Sequence, residues 1–119
     1  MKYSVITFGC RVNQADSLEL EEDLIAGGAA AVPPEDADVV VVNSCSVTAS
    51  ADQGTRQTIR RLARINPSAR IIVTGCYATR SPGELRSLAG VSTIVPNHAK
   101  PALPSLVAGI RLRTSPGAL

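Results

Sequence analysis

The chain has no tryptophan and very few aromatic residues, with Tyr3, Phe8 and Tyr77 completing the set in 119 residues. Its core must therefore be aliphatic, assembled from Val, Ile, Leu and Ala. No apolar run is long enough to span a membrane. The apolar opening Tyr3–Phe8 behind Met1-Lys2 is too short for a secretory signal, and no small-residue cleavage site follows it. The chain reads as cytoplasmic. Cysteine is scarce as well. Three is an odd number, which suits no closed disulfide framework, and a chain that is 45% hydrophobic needs none. Free thiols, a metal or cluster site, or a single nucleophile remain open. Charge of one sign is also missing: the net charge of +2 and pI near 8.6 are only a weak pull toward an anionic partner. The single histidine, His98, stands near a turn and receives no role. There is no internal repeat and no low-complexity segment.

What is present is a regular alternation of short β-branched runs and amphipathic segments. Residues 3–9 (YSVITFG) read as a buried strand bounded by glycine. Asp16 with Glu19 three residues on has the form of a capping box, opening a helix over 16–26 with Leu18, Leu20, Leu24 and Ile25 on its inner face. Gly27-Gly28 ends that helix, and residues 29–32 form a weak second strand stopped by Pro33-Pro34. Val39–Val42 is the clearest strand, and four consecutive valines call for burial on both faces. A helix over 50–65 turns Thr55, Thr58, Ile59 and Leu62 inward and breaks at Asn66-Pro67. Residues 70–74 (RIIVT) are the next strand. Ser81-Pro82-Gly83-Glu84 opens a helix to about residue 90, with Ser81 as its cap. A short strand over 92–95 follows, and then a helix over 101–110 with Leu103, Leu106, Val107 and Ile110 inward. This order predicts an α/β fold: a doubly wound, mostly parallel five-stranded sheet, order 2-1-3-4-5, with helices on both faces. One domain over 1–110 and a tail over 111–119 complete the expected organisation.

Each cysteine stands where a strand stops. Cys10 follows the first strand, Cys45 the third and Cys76 the fourth. In the order 2-1-3-4-5 these strands are neighbours, about 4.8 Å apart at their C-terminal ends. That edge is where doubly wound sheets bind ligands, and helix N-termini pointing there favour thiolate. Two of the cysteines follow glycine, which lets the backbone approach a ligand closely. Three converging thiolates can hold zinc with a fourth ligand, or an iron–sulfur cluster with one iron left open. A nucleotide-binding reading is disfavoured, since no Gly-x-Gly-x-x-Gly follows the first strand.

Three segments together, TFGCRVNQADS, VVVVNSCSVTASAD with the basic IRR that follows, and IIVTGCYATRSPGEL, resemble the N-terminal domain of the radical-SAM methylthiotransferases over residues 1–107. The resemblance implies that Cys10, Cys45 and Cys76 ligate an auxiliary 4Fe–4S cluster. GCRVNQ, GCYA and RQTIRR are most similar to the branch that modifies threonylcarbamoyladenosine beside the anticodon of tRNA, and less to the isopentenyladenosine and ribosomal-protein branches. Ser44 and Ser46 stand where the family usually has Thr. In that family a further domain holds a second 4Fe–4S cluster on Cys-x-x-x-Cys-x-x-Cys and cleaves S-adenosylmethionine reductively. The auxiliary cluster serves sulfur delivery. With all three cysteines assigned, this chain has no such second motif. The expectation is therefore a domain of a larger cytoplasmic enzyme, inactive alone, whose partners are tRNA and a radical-SAM domain of the same parent chain.

Four further groups of residues carry both a functional and a plainer reading. Asn13 and Gln14 could donate to cluster sulfurs or an extraneous ligand, and Asn13 could equally turn the chain into its helix. Asn43 could fix the loop that carries Cys45. Tyr77 could shield the site or pack. Arg56, Arg60 and Arg64 fall four apart on one helical stripe, suited to RNA phosphate or simply to solvent.

Overall fold

The four valines of the third strand decide the architecture. A strand that is apolar at every position must be covered on both faces, and in the computed structural model it lies at the centre of a sheet with helices above and below. The structure describes residues 1–9, 11–45 and 49–107. The five strands are β1 (Lys2–Thr7), β2 (Ala30–Ala31), β3 (Val39–Ser44), β4 (Arg70–Gly75) and β5 (Val91–Val95). They form one sheet in the order β2-β1-β3-β4-β5, and every pairing is parallel. The expected doubly wound α/β topology is the observed one.

Side chains alternate across this sheet as the pleat requires. Val39 and Val41 face one side together with Tyr3 and Ile72, under Leu20 and Leu24 of α1 (Arg11–Ala26) and under Leu103 and Val107 of the helical residues 103–107. Val40 and Val42 face the other side with Ile71 and Val73. They are covered by Ile59 and Leu62 of α2 (Ala49–Ile65), Tyr77 and Ala78 of α3 (Cys76–Arg80), and Leu85 of α4 (Pro82–Arg86). The helix that leads back to β2 and the helices that lead on to β4 and β5 thus lie on opposite faces, as right-handed crossovers demand.

Several local expectations are corrected. Helix α1 begins at Arg11, so Asp16 is inside the helix, paired with Lys100 at 2.9 Å, and is not its N-cap. The buried stripe of α1 runs through Asn13, Ser17, Leu20 and Leu24, and its upper half is polar. Leu18 and Ile25 lie one position off that stripe and are 63% and 57% exposed. Hydrophobic periodicity placed them inward because it does not count a buried Asn or Ser. Ser81 makes no side-chain capping bond, because the preceding residues are already helical: Gly75 leads directly into α3. The last helix enters through a 3-10 turn over Asn97–Ala102, and Ile110 and the tail over 111–119 lie outside the described residues. A second 3-10 turn, Pro34–Asp36, links β2 to β3. No helix among the described residues is long and apolar enough to cross a membrane.

The assignment of faces can be tested by a pair of substitutions. Ile72→Ala removes a fully buried side chain and is expected to cost about 2–5 kcal/mol in urea unfolding, whereas exposed Leu18→Ala should stay within about 0.5 kcal/mol. A large loss at Leu18 would contradict the observed rotation of α1.

Candidate functional site

The C-terminal edge of the sheet is built from three neighbouring strand ends. Parallel register pairs Thr7 with Asn43 and Ser44 with Gly75. Cys45 and Cys76 follow paired residues directly, so they leave the sheet side by side at the same level. Cys45 is buried, Cys76 is exposed, and both are free thiols. Cys10 lies outside the described residues, but its neighbour Gly9 is within them and lies against Cys45. A Cβ added at Gly9 would stand 2.5 Å from the Cys45 Cβ and 2.6 Å from its Sγ. Gly9 also has φ +92, a backbone conformation that disfavours any side chain. Gly75 is constrained in the same way. Its φ is +97, and a Cβ there would collide with the Ser44 backbone.

A layer of buried amides and hydroxyls locks these strand ends together. Asn13 Nδ2 donates to Phe8 O at 3.0 Å and to Ser44 O at 2.9 Å, joining the carbonyls that end β1 and β3. Asn43 Nδ2 donates to Asn13 O at 2.9 Å and to Ser17 Oγ at 3.2 Å. Ser44 Oγ donates to Thr74 O at 2.6 Å, which ties β3 to β4. The plainer role of Asn13, holding the turn into α1, is thus filled by these bonds. Both of its amide protons are occupied by backbone carbonyls. Gln14 is exposed on α1.

On the opposite face α3 is fixed by Tyr77, which is fully buried. Its hydroxyl donates to Glu84 Oε1 at 2.6 Å and accepts from Arg56 Nη1 at 2.7 Å. Arg56 also pairs with Glu84 at 3.0 Å, and the guanidinium groups of Arg56 and Arg80 stand 6.0 and 5.4 Å from the Tyr77 ring centre. Arg80 in turn pairs with Asp52 of α2. Burial, then the Glu84 carboxylate, push the Tyr77 phenol above its ordinary pKa, against the opposing effect of Arg56. Of the predicted basic stripe, Arg56 is therefore engaged with Tyr77 and Glu84, while Arg60 and Arg64 are exposed on α2. Asn97 was missed by the sequence analysis. Its Nδ2 lies 3.8 Å from Cys76 Sγ, and its backbone N–H donates to Thr79 Oγ1 at 2.8 Å. An asparagine after Val95-Pro96 carries no sequence signal for this, because only the sheet brings the end of β5 beside α3.

The donor chemistry fits a thiophilic group. Two free thiols stand on adjacent strand ends, one buried under a glycine that leaves no room for a side chain and one open to solvent. Among the described residues no group of three Cys, His, Asp or Glu converges, and Cys10 is not among them.

Residues 2–96 match the family described as Uncharacterized protein family UPF0004. A threonylcarbamoyladenosine tRNA methylthiotransferase (MtaB) of Aquifex aeolicus is 43% identical over 104 residues, covering 87% of this chain and 25% of that protein. A tRNA-2-methylthio-N(6)-dimethylallyladenosine synthase of Sorangium cellulosum is 34% identical over 117 residues, covering 93% of this chain and 23% of that protein. The chain thus spans about a quarter of the length of these curated relatives. A solved structure from Burkholderia pseudomallei, described as a pilus assembly-related protein, superposes with a TM-score of 0.66. Its identity is 12%, and the superposition covers 97% of this chain and 92% of the other, a likeness of fold alone.

Two measurements test this geometry. Gly75→Ala should lose at least about 1–3 kcal/mol of stability from backbone strain alone, and a neutral result in urea unfolding would contradict the close approach to Ser44. Tyr3 is raised by burial and by Glu21, as Tyr77 is by burial and Glu84. The folded state therefore holds these phenolic protons more tightly than the unfolded chain, whose tyrosines titrate near 10. Stability should be fully present below pH about 10 and fall as pH rises through the folded values. Tyr77→Phe should flatten part of that alkaline decline.

Proposed function

The chain belongs to the UPF0004 family, the N-terminal domain of the methylthiotransferases, and from that premise we propose that it serves an enzyme that methylthiolates threonylcarbamoyladenosine in tRNA. Its share is to hold the auxiliary 4Fe–4S cluster, with Cys10, Cys45 and Cys76 as ligands. The observation that carries this reading is the register Ser44–Gly75, which brings two of the three cysteines out of the sheet side by side. Similarity to the threonylcarbamoyladenosine enzymes supports the substrate. An isopentenyladenosine-type substrate is the alternative within the same family.

Bound at this edge, a cluster with three protein thiolates would supply an open iron at which a sulfur species can bind. The chain's own residues have separate tasks. Gly9 and Gly75 keep the strand ends free of side chains where the thiols emerge. Asn13 and Asn43 hold the ends of β1 and β3 at fixed separation. The Asn97 amide, 3.8 Å from Cys76 Sγ, donates a hydrogen bond to that sulfur and helps orient it. Gln14, exposed in the first turn of α1, is a candidate to face an incoming ligand. Arg60 and Arg64, exposed on α2, would contact tRNA phosphates. The radical-SAM domain, its own 4Fe–4S cluster and S-adenosylmethionine would be supplied by the parent enzyme outside these residues. This domain by itself does not turn over.

Anaerobic reconstitution with iron and sulfide decides the matter. The chain is expected to take up about four irons with the absorption and spin-resonance signature of a 4Fe–4S cluster, and Cys45→Ala to abolish it. Stoichiometric zinc without iron uptake would overturn the proposal in favour of a zinc or redox-thiol module. The apo chain should retain its circular dichroism spectrum, since the aliphatic core contains no metal ligand other than Cys45.

A further inference from the structure

Two buried polar atoms have no hydrogen-bond partner among the described residues: Asn43 Oδ1 and Thr74 Oγ1. Their residues are 3% and 1% exposed, they are register partners on β3 and β4, and both line the same cavity. That cavity, of about 160 Å³, lies on the α1 face of the sheet, between α1 and the segment that follows β5. It holds about five water-sized groups. The side chain of Asn43 cannot be turned to relieve the deficit. Its Nδ2 donates to the backbone carbonyl of Asn13, so the oxygen is the end left over. An occupant must therefore donate to Asn43 Oδ1 and can donate to the lone pairs of Thr74 Oγ1.

The wall and rim narrow the choice. Leu20 and Leu103 supply apolar wall. Lys100 is already paired with Asp16 at 2.9 Å. Glu19 and Asp23, on the same rim, have no ion-pair partner among the described residues. A hydrogen-bond donor that also carries positive charge, on a short aliphatic body, satisfies floor, wall and rim together. We propose that this cavity is a binding site for a small primary alkylammonium, its head group donating to Asn43 Oδ1 and Thr74 Oγ1 under the carboxylates of Glu19 and Asp23. The site is separate from the thiols. It opens on the α1 face, one layer below the strand ends that carry Cys45 and Cys76.

The test is a heteronuclear NMR titration of the chain with n-butylammonium, with n-butanol as a neutral probe of the same shape. Saturable shifts of the Asn43 side-chain amide and the Thr74 backbone are expected, with affinity at least about tenfold above that of n-butanol. Thr74→Val, isosteric and β-branched, should weaken binding about tenfold, and so should Glu19→Gln with Asp23→Asn, both with the rest of the spectrum preserved. The surface double variant keeps the proposal falsifiable if Thr74→Val disturbs the sheet. Linear, non-saturating shifts, equal affinity for n-butanol, or a crystal structure at saturating probe with only water between Asn43 and Thr74 would each overturn it.

Discussion

Everything at the functional edge depends on the register of β3 between β1 and β4. Its six residues are buried without exception, and its peptide groups are paired on both sides. Because side chains alternate, a slip of one residue would exchange Val39 and Val41 with Val40 and Val42 between two differently shaped cores. It would also shift Cys45 against Cys76 and carry Asn43 away from Asn13. The packing that stabilises the sheet is thus the same constraint that aligns the thiols. The edge that carries Cys45 thus continues a strand buried at every position.

The transition from apolar sheet to polar edge takes place within two residues. Below Asn43 the strand offers only valine; from Asn43 upward it offers an amide, a hydroxyl and a thiol. The hydrogen bonds of Asn13, Asn43 and Ser44 link three segments distant in sequence through backbone carbonyls at the end of the sheet and in the first turn of α1. They also hold the first turn of α1, through Asn13 and Asn43. Among the described residues two atoms in this layer have no partner, and both of their residues line one cavity.

The far face has a different logic. Tyr77 is surrounded by two guanidinium groups and a carboxylate, and through them α2, α3 and α4 are tied around the residue that follows Cys76. Arg56 and Arg80 therefore belong to the support of the cysteine-bearing helix. Arg60 and Arg64 stand farther along α2 and are exposed.

Much of this protein was legible in its residues. Four valines in a row and the βα alternation determine a doubly wound sheet, because burial on two faces and right-handed crossovers leave few other solutions, and the register of that sheet sets Cys45 and Cys76 just past neighbouring strand ends. The rotation of α1 was not legible, since a hydrophobic pattern cannot foresee that Asn13 and Ser17 are buried in place of Leu18 and Ile25. Nor were Asn97 beside Cys76, Glu84 against Tyr77, or the cavity under Asn43 and Thr74. Those pairings are set by tertiary geometry, and each polar group among them could have found water instead. Hydrophobic periodicity is a local property and was written in the sequence. The partners of buried polar groups were decided only when the sheet closed and removed the water that would otherwise have satisfied them.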